Sequence, residues 1–135
     1  MKTLMRLGAI LALLQACPSA ALAGDKCVKD AFGNLLLFKK VKILRPGGVV
    51  ALTGMFISGT SAPLTGAAVM RADGTVRIGV FLHTLDPTLG TVNATYEWTA
   101  DADFAGAGVF DSDGDYVSNG AISFLAYDCK TIPIP

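Results

Sequence analysis

The chain has 135 residues in which 11 lysines and arginines face 11 aspartates and glutamates, so it carries no formal net charge at pH 7. That balance, with no basic stripe and stacking aromatics, argues against nucleic acid as a partner, and one histidine with Cys27 and Cys129, the two cysteines left once the leader is removed and expected to be oxidised, cannot supply a zinc shell. Hydrophobic residues make up 52% and glycines number 15, which suits short strands broken by turns.

The amino terminus has the order of a secretory signal peptide. Lys2 and Arg6 precede an apolar run from Leu7 to about Leu14, and Ala21-Leu22-Ala23 supplies the small-residue exit. The run is well short of the ~20 residues a spanning helix needs, and no later stretch is long enough, so no transmembrane segment is expected. Cleavage after Ala23 removes 23 of the 135 residues and leaves 112, enough for one domain with a single core over residues 24–135. It also removes Cys17 and leaves Cys27 and Cys129, an even pair in an oxidising compartment, for which one disulfide is expected. The expected location is periplasmic or secreted. An alternative takes Leu14-Gln15-Ala16-Cys17 as a lipoprotein box, with the protein anchored at an acylated Cys17.

Beyond the leader, β-branched and aromatic residues recur in short runs, and no window sustains a helical period. Strands are expected at about Leu35–Leu44, Val49–Ile57, Thr65–Arg71, Thr75–His83, Val92–Thr99, Phe104–Asp111 and Tyr116–Tyr127, with a short eighth candidate at Cys27–Lys29. Turn-forming sequences separate them: "FGN", "RPGG", "SGTSAP", "ADG", "TLDPTLG", "ADAD" and "SDG". Seven or eight antiparallel strands in a meander hide their edges best as a small closed barrel, the all-β fold expected here, with a β-sandwich as the alternative. The segments Thr65–Gly74 and Ala105–Gly114 match at Gly66/Gly106, Ala67/Ala107, Val69/Val109, Asp73/Asp113 and Gly74/Gly114, which reads as two similar hairpins.

The last of these turns invites a calcium reading, because Asp111, Asp113 and Asp115 alternate around a glycine. Counted from Asp111, however, the glycine falls fourth rather than sixth, and Ile122 stands where an EF-hand needs glutamate. A hairpin tip is the better reading, and no metal site is assigned.

Candidate chemistry is sparse. His83 is the sole histidine, so any nucleophilic triad must use it, yet no G-x-S-x-G elbow accompanies it. Alternation along "TVRIGVFLH" puts Val76, Ile78, Val80 and Leu82 on one face and Arg77, Gly79, Phe81 and His83 on the other. No strand–glycine loop–helix phosphate motif is present, and no cofactor is indicated. In "NATYEWTADAD", Tyr96 and Trp98 share a strand face opposite Glu97. Asp101 and Asp103 follow as a candidate acid–base pair that also suits a solvated turn, and Asn93-Ala94-Thr95 is a glycosylation sequon.

The hairpin "LTGAAVMRADGTVRIG" followed by "ATYEWTADADFAGAGVF" resembles short secreted bacterial β-barrels of the allene oxide cyclase or calycin type, with a glycine-rich strand, an Asp-Gly turn and a Tyr-bearing strand ending in Asp. The likeness spans Leu64 to Phe110; Ala102 stands where that pattern often has cysteine. It implies a small barrel with an apolar lumen and no transferable catalytic residue. The leading expectation is therefore an exported barrel that binds a small apolar or aromatic molecule, with Tyr96, Trp98, Phe81 and Phe104 as lining. An isomerase or cyclase using His83, Arg77 and Glu97 in the same lumen is the second reading. A periplasmic inhibitor or interaction module using "TLDPTLG", Thr84 to Gly90, is the third, with its protein partner unspecified.

Overall fold

The structure is a computed structural model that describes residues 23–132. The signal peptide and the Cys17 anchor lie outside the described residues. Eight strands follow one another: β1 (Gly24–Asp30), β2 (Leu35–Val41), β3 (Val49–Ser58), β4 (Thr60–Met70), β5 (Val76–Asp86), β6 (Gly90–Ala100), β7 (Gly106–Gly114) and β8 (Ser118–Ala126). Each pairs antiparallel with the next, and β8 returns to β1 through Val28↔Ala126, Lys29↔Leu125 and Asp30↔Phe124. The expected meander barrel thus forms, and the β1–β8 ladder rules out the sandwich. Among the described residues only a single turn of 3-10 helix, Cys129–Thr131, breaks the all-β pattern.

Period-two alternation builds the core. Val76, Ile78, Val80 and Leu82 of β5 and Ala94, Tyr96, Trp98 and Ala100 of β6 point inward and are buried. Outward positions carry Lys29, Lys39, Lys40, Glu97 and Asp111 instead. The interior is apolar, and the exterior mixes these charges with exposed Val49, Phe81, Leu85, Val109 and Leu125.

Two segments depart from simple alternation, each for a physical reason. The run Leu35-Leu36-Leu37-Phe38 is apolar throughout because β2 is covered on both sides. Leu36 and Phe38 face the lumen, while Leu37 packs outside with Cys27, Ile57 and Ile132. The cover is the chain after β8, which crosses the outer face and is held by a Cys27–Cys129 disulfide with Cα atoms 5.3 Å apart. The expected pairing is present, and what it clasps is a strap over the outside of the barrel.

The second departure is at Phe104, expected to open a strand but found in the turn before β7. Three connections share one geometry: Gly33 N–H donates to the Asp30 carbonyl, Gly74 N–H to Arg71, and Phe104 N–H to Asp101, at 3.0 Å each. In each the fourth residue is left-handed, with φ of 88° at Gly33, 87° at Gly74 and 71° at Phe104. Glycine takes that conformation freely; Phe104 takes it under strain. The Asp101 carboxylate accepts from Asp103 and Ala105 amides at 2.9 and 3.1 Å, so it shapes this turn, and Asp103 stands in solvent 3.8 Å from Lys26 Nζ.

The two matching segments do not form equivalent hairpins. Thr65–Gly74 is the end of β4 with its turn, whereas Ala105–Gly114 is β7 itself, running the opposite way toward the other pole. Gly114 still pairs with Val92 of β6, and the tip of the β7–β8 hairpin is Asp115-Tyr116-Val117. Likewise "TLDPTLG" is mostly strand: β5 and β6 pair out to Asp86↔Gly90, leaving Pro87-Thr88-Leu89 as the tip.

Candidate functional site: a lumen open at one pole

The up-and-down order sends the β1–β2, β3–β4, β5–β6 and β7–β8 turns to one pole and the β2–β3, β4–β5 and β6–β7 connections to the other. Inward side chains differ sharply between them. At the second pole Phe38, Trp98, Phe104 and Phe124 fill the lumen, with Leu44 folded in from the β2–β3 connection. Phe38 meets Phe104 edge-on at 5.4 Å between centroids, Trp98 stacks on Phe124 at 4.0 Å, and Trp98 Nε1 donates to the Phe104 carbonyl at 2.8 Å. That pole is plugged.

Toward the first pole the inward positions shrink to Ala62, Ala94, Thr60, Thr84 and Ser112, and a cavity of about 400 Å³ opens. Its deep wall is Phe56, Ala62, Leu82, Ala94, Tyr96 and Phe110; its collar holds Asn34 and the hydroxyls of Ser58, Thr60, Thr84 and Ser118; Phe32, Leu89 and Tyr116 stand at the rim. Ser112 Oγ donates to the Ser118 carbonyl at 3.1 Å, which ties β7 to β8 beside the opening.

Tyr96 is the pivot of the deep wall. Its ring lies nearly parallel to Phe56 and Phe110, with centroids at 6.2 and 6.4 Å, and edge-on to Phe124 at 6.1 Å. Burial pushes its hydroxyl well above the ordinary tyrosine range, and the nearby Asp30 carboxylate adds to that shift. Asp30 is itself buried: Oδ1 accepts from the Phe32 and Asn34 amides at 2.9 Å each, and Oδ2 from Asn34 Nδ2 at 3.1 Å. At the mouth Asp86 Oδ1 accepts from the Thr88 and Leu89 amides at 2.7 and 2.9 Å, fixing the β5–β6 tip.

Of the four residues expected to line the lumen, the structure brings Tyr96 to the cavity. Trp98 and Phe104 lie fully buried in the plug, below the cavity floor. Phe81 faces outward and is 47% exposed, because Val80 and Leu82 take the inward positions of β5. The expected catalytic set also lies outside. Arg77 Nη2 pairs with Glu97 Oε2 at 3.1 Å across the outer face, and His83 Nδ1 contacts Asn93 Oδ1 on the same surface. None of the three reaches the lumen. Asp111 and Asp113 point to solvent, and Asp115 Oδ2 accepts from the Thr91 amide at 2.9 Å, where it braces the hairpin. Among the described residues no three acidic, histidine or cysteine side chains converge as a metal site.

Residues that sequence reasoning missed are Phe56 and Phe110, and the acids Asp30 and Asp86. Phe110 was within reach, since alternation places it on the face of Gly106 and Gly108. No family model, curated protein or solved structure matches the chain.

Proposed function

We propose that this protein is an exported calycin-like barrel that holds one small apolar or aromatic molecule in the open half of its lumen. The observation that carries this reading is the one-ended cavity, about 400 Å³, with an aromatic and aliphatic wall and a hydroxyl collar. Ligand pockets have that size range and that mixture of greasy wall and few polar groups. Export rests on the leader pattern, and the Cys27–Cys129 disulfide fits an oxidising space such as the periplasm or the medium. The enzymatic alternative loses its support, because His83, Arg77 and Glu97 sit on the outer face.

Titration with the neutral fluorophore N-phenyl-1-naphthylamine tests the reading. Saturable binding at one site per chain is expected, abolished in Ala94→Phe, whose ring fills the cavity, while near-ultraviolet dichroism stays native. Unsaturable binding, or binding that Ala94→Phe leaves intact, would refute it.

A further inference from the structure

Polarity in the cavity comes at two depths. The collar hydroxyls of Ser58, Thr60, Thr84 and Ser118 stand near the mouth, on exposed or half-buried residues. Along β6 the inward positions run Val92, Ala94, Tyr96 and Trp98 away from the opening; the first three line the cavity and Trp98 belongs to the plug. Thr84 of β5 pairs with Val92 and Ser112 of β7 pairs with Ala94, so both lie nearer the mouth than Tyr96. On these three strands the Tyr96 hydroxyl is the innermost polar group that the wall presents.

That hydroxyl is unspent. Tyr96 is only 7% exposed, yet its oxygen has no hydrogen-bond partner among the described residues. No side-chain oxygen among them is both shut away from solvent and unpaired, so the Tyr96 hydroxyl touches open space, and the space that Tyr96 borders is the lumen. Burial, with a smaller contribution from the Asp30 carboxylate, keeps its proton in place well above the ordinary tyrosine range, so the group works as a neutral donor. Charge has no counterpart at this depth. No basic side chain lines the cavity, and Lys29, at the same pole, is on the exposed outer side of β1. Asp86 pairs with Gly90 at the β5–β6 tip, far up the strand from the Val80↔Tyr96 pair.

We infer that the ligand is an uncharged aromatic carbonyl compound, a flat ring system whose leading carbonyl oxygen accepts a hydrogen bond from the Tyr96 hydroxyl at the cavity floor. This rests on the lumen-binding reading and narrows its ligand class. Any molecule that fills the deep end takes the hydroxyl out of contact with solvent, and a donor left unpaired there loses its hydration with nothing in return. A carbonyl at the leading end replaces what is lost, whereas a hydrocarbon end does not and a charged end finds no opposite charge. The Phe56 and Phe110 rings lie at 26° and 29° to the Tyr96 ring, a wall of nearly parallel planes that suits a flat body.

Three probes on one ring system separate the outcomes: 2-acetylnaphthalene, its isosteric alkene 2-isopropenylnaphthalene, and 2-naphthoate, each titrated calorimetrically into the intact exported protein and by competition against N-phenyl-1-naphthylamine. Ketone and alkene share a shape, and comparing their affinity ratio between parent and Tyr96→Phe cancels their different costs of leaving water. Tyr96→Phe keeps the ring and removes the oxygen, so the ketone-to-alkene ratio should fall about tenfold. In the parent, naphthoate should bind at least about tenfold more weakly than the ketone. The infrared carbonyl stretch of the bound ketone reads the bond directly: it should lie below its value in hexane in the parent and return toward that value in Tyr96→Phe. If Tyr96→Phe does not fold, the stretch in the parent decides. A ratio unchanged in Tyr96→Phe, a parent stretch at the hexane value, naphthoate tighter than the ketone, or bound N-phenyl-1-naphthylamine that the ketone does not displace would each overturn the carbonyl assignment and leave the lumen reading standing. If none of the three probes binds and N-phenyl-1-naphthylamine is not held either, both fall.

Discussion

Phe104 shows how one side chain can hold a backbone where it does not belong. A non-glycine residue at φ 71° costs on the order of 1–2 kcal/mol. Burying a phenylalanine recovers about 1.5–3 kcal/mol, and the Trp98 indole adds a hydrogen bond to the Phe104 carbonyl, so burial wins. Phe104→Ala should therefore lose about 3–5 kcal/mol in urea unfolding, since it opens a void and keeps the strained Cβ. Phe104→Gly should lose about 1–2 kcal/mol less than the alanine variant, an inversion of the usual order. Equal losses would mean that the turn is not strained. The sequence showed Phe104 as aromatic but hid its turn, because "DADFA" lacks the glycine that marks "DAFGN" and "RADGT". Tyr96 makes a second expectation. Its folded-state pKa is raised, so the folded chain keeps a proton that the unfolded chain loses above the ordinary value of about 10. Stability is then unaffected below pH 10 and falls above it, by up to about 1.4 kcal/mol per pH unit from this one group. Denaturant midpoints measured between pH 9 and 11 should show that fall in the parent and a shallower one in Tyr96→Phe.

The strands β3, β5 and β6 were the most legible elements, because their apolar and β-branched runs end at clear turn signals, whereas the first half of β4, Thr60 to Leu64, reads as a turn because Ser61 and Pro63 stand in it. β1 was reduced to Cys27–Lys29 because "GDKCVKD" has few apolar residues, and adjacent Cys27 and Val28 are buried on opposite faces. The covering strap explains both that pattern and the apolar run of β2, and nothing local in the sequence announces a strap. Its attachment is the disulfide, closing a loop with a sequence separation of 102. Loops on that scale stabilise by roughly 4–5 kcal/mol in the chain-entropy model. The paired variant Cys27→Ser/Cys129→Ser should thus lower unfolding free energy by about 3–5 kcal/mol and expose Leu37 and Ile57 to solvent. Faster hydrogen exchange confined to β1–β3 at low denaturant would be the signature. A uniform change across all eight strands would mean that the bridge acts only on the unfolded chain.

At the scale of the whole barrel, the feature the sequence concealed is its polarity from pole to pole. Read linearly, charge divides into a basic first half and an acidic second half; folded, most of the basic residues lie toward the plug, while Asp86, Asp113 and Asp115 gather at the mouth. Side-chain volume divides the same way, and β6 samples both regimes on one face, with Ala94 at the cavity and Ala100 in the plug, each 4% exposed. Burial alone therefore does not distinguish them, but the space beyond them does. Enlarging Ala94 to phenylalanine places apolar atoms in empty volume and should stabilise the ligand-free barrel by about 1 kcal/mol, a rise in Tm of roughly 4 °C. The same enlargement at Ala100 forces atoms into a filled region next to Phe104 and should cost about 1–3 kcal/mol. Calorimetric scans of the two variants beside the parent give opposite shifts if the open pole is a vacancy kept for a ligand at the expense of stability. Two destabilised variants would mean that the mouth region is already packed, and the room required by any lumen ligand would be gone.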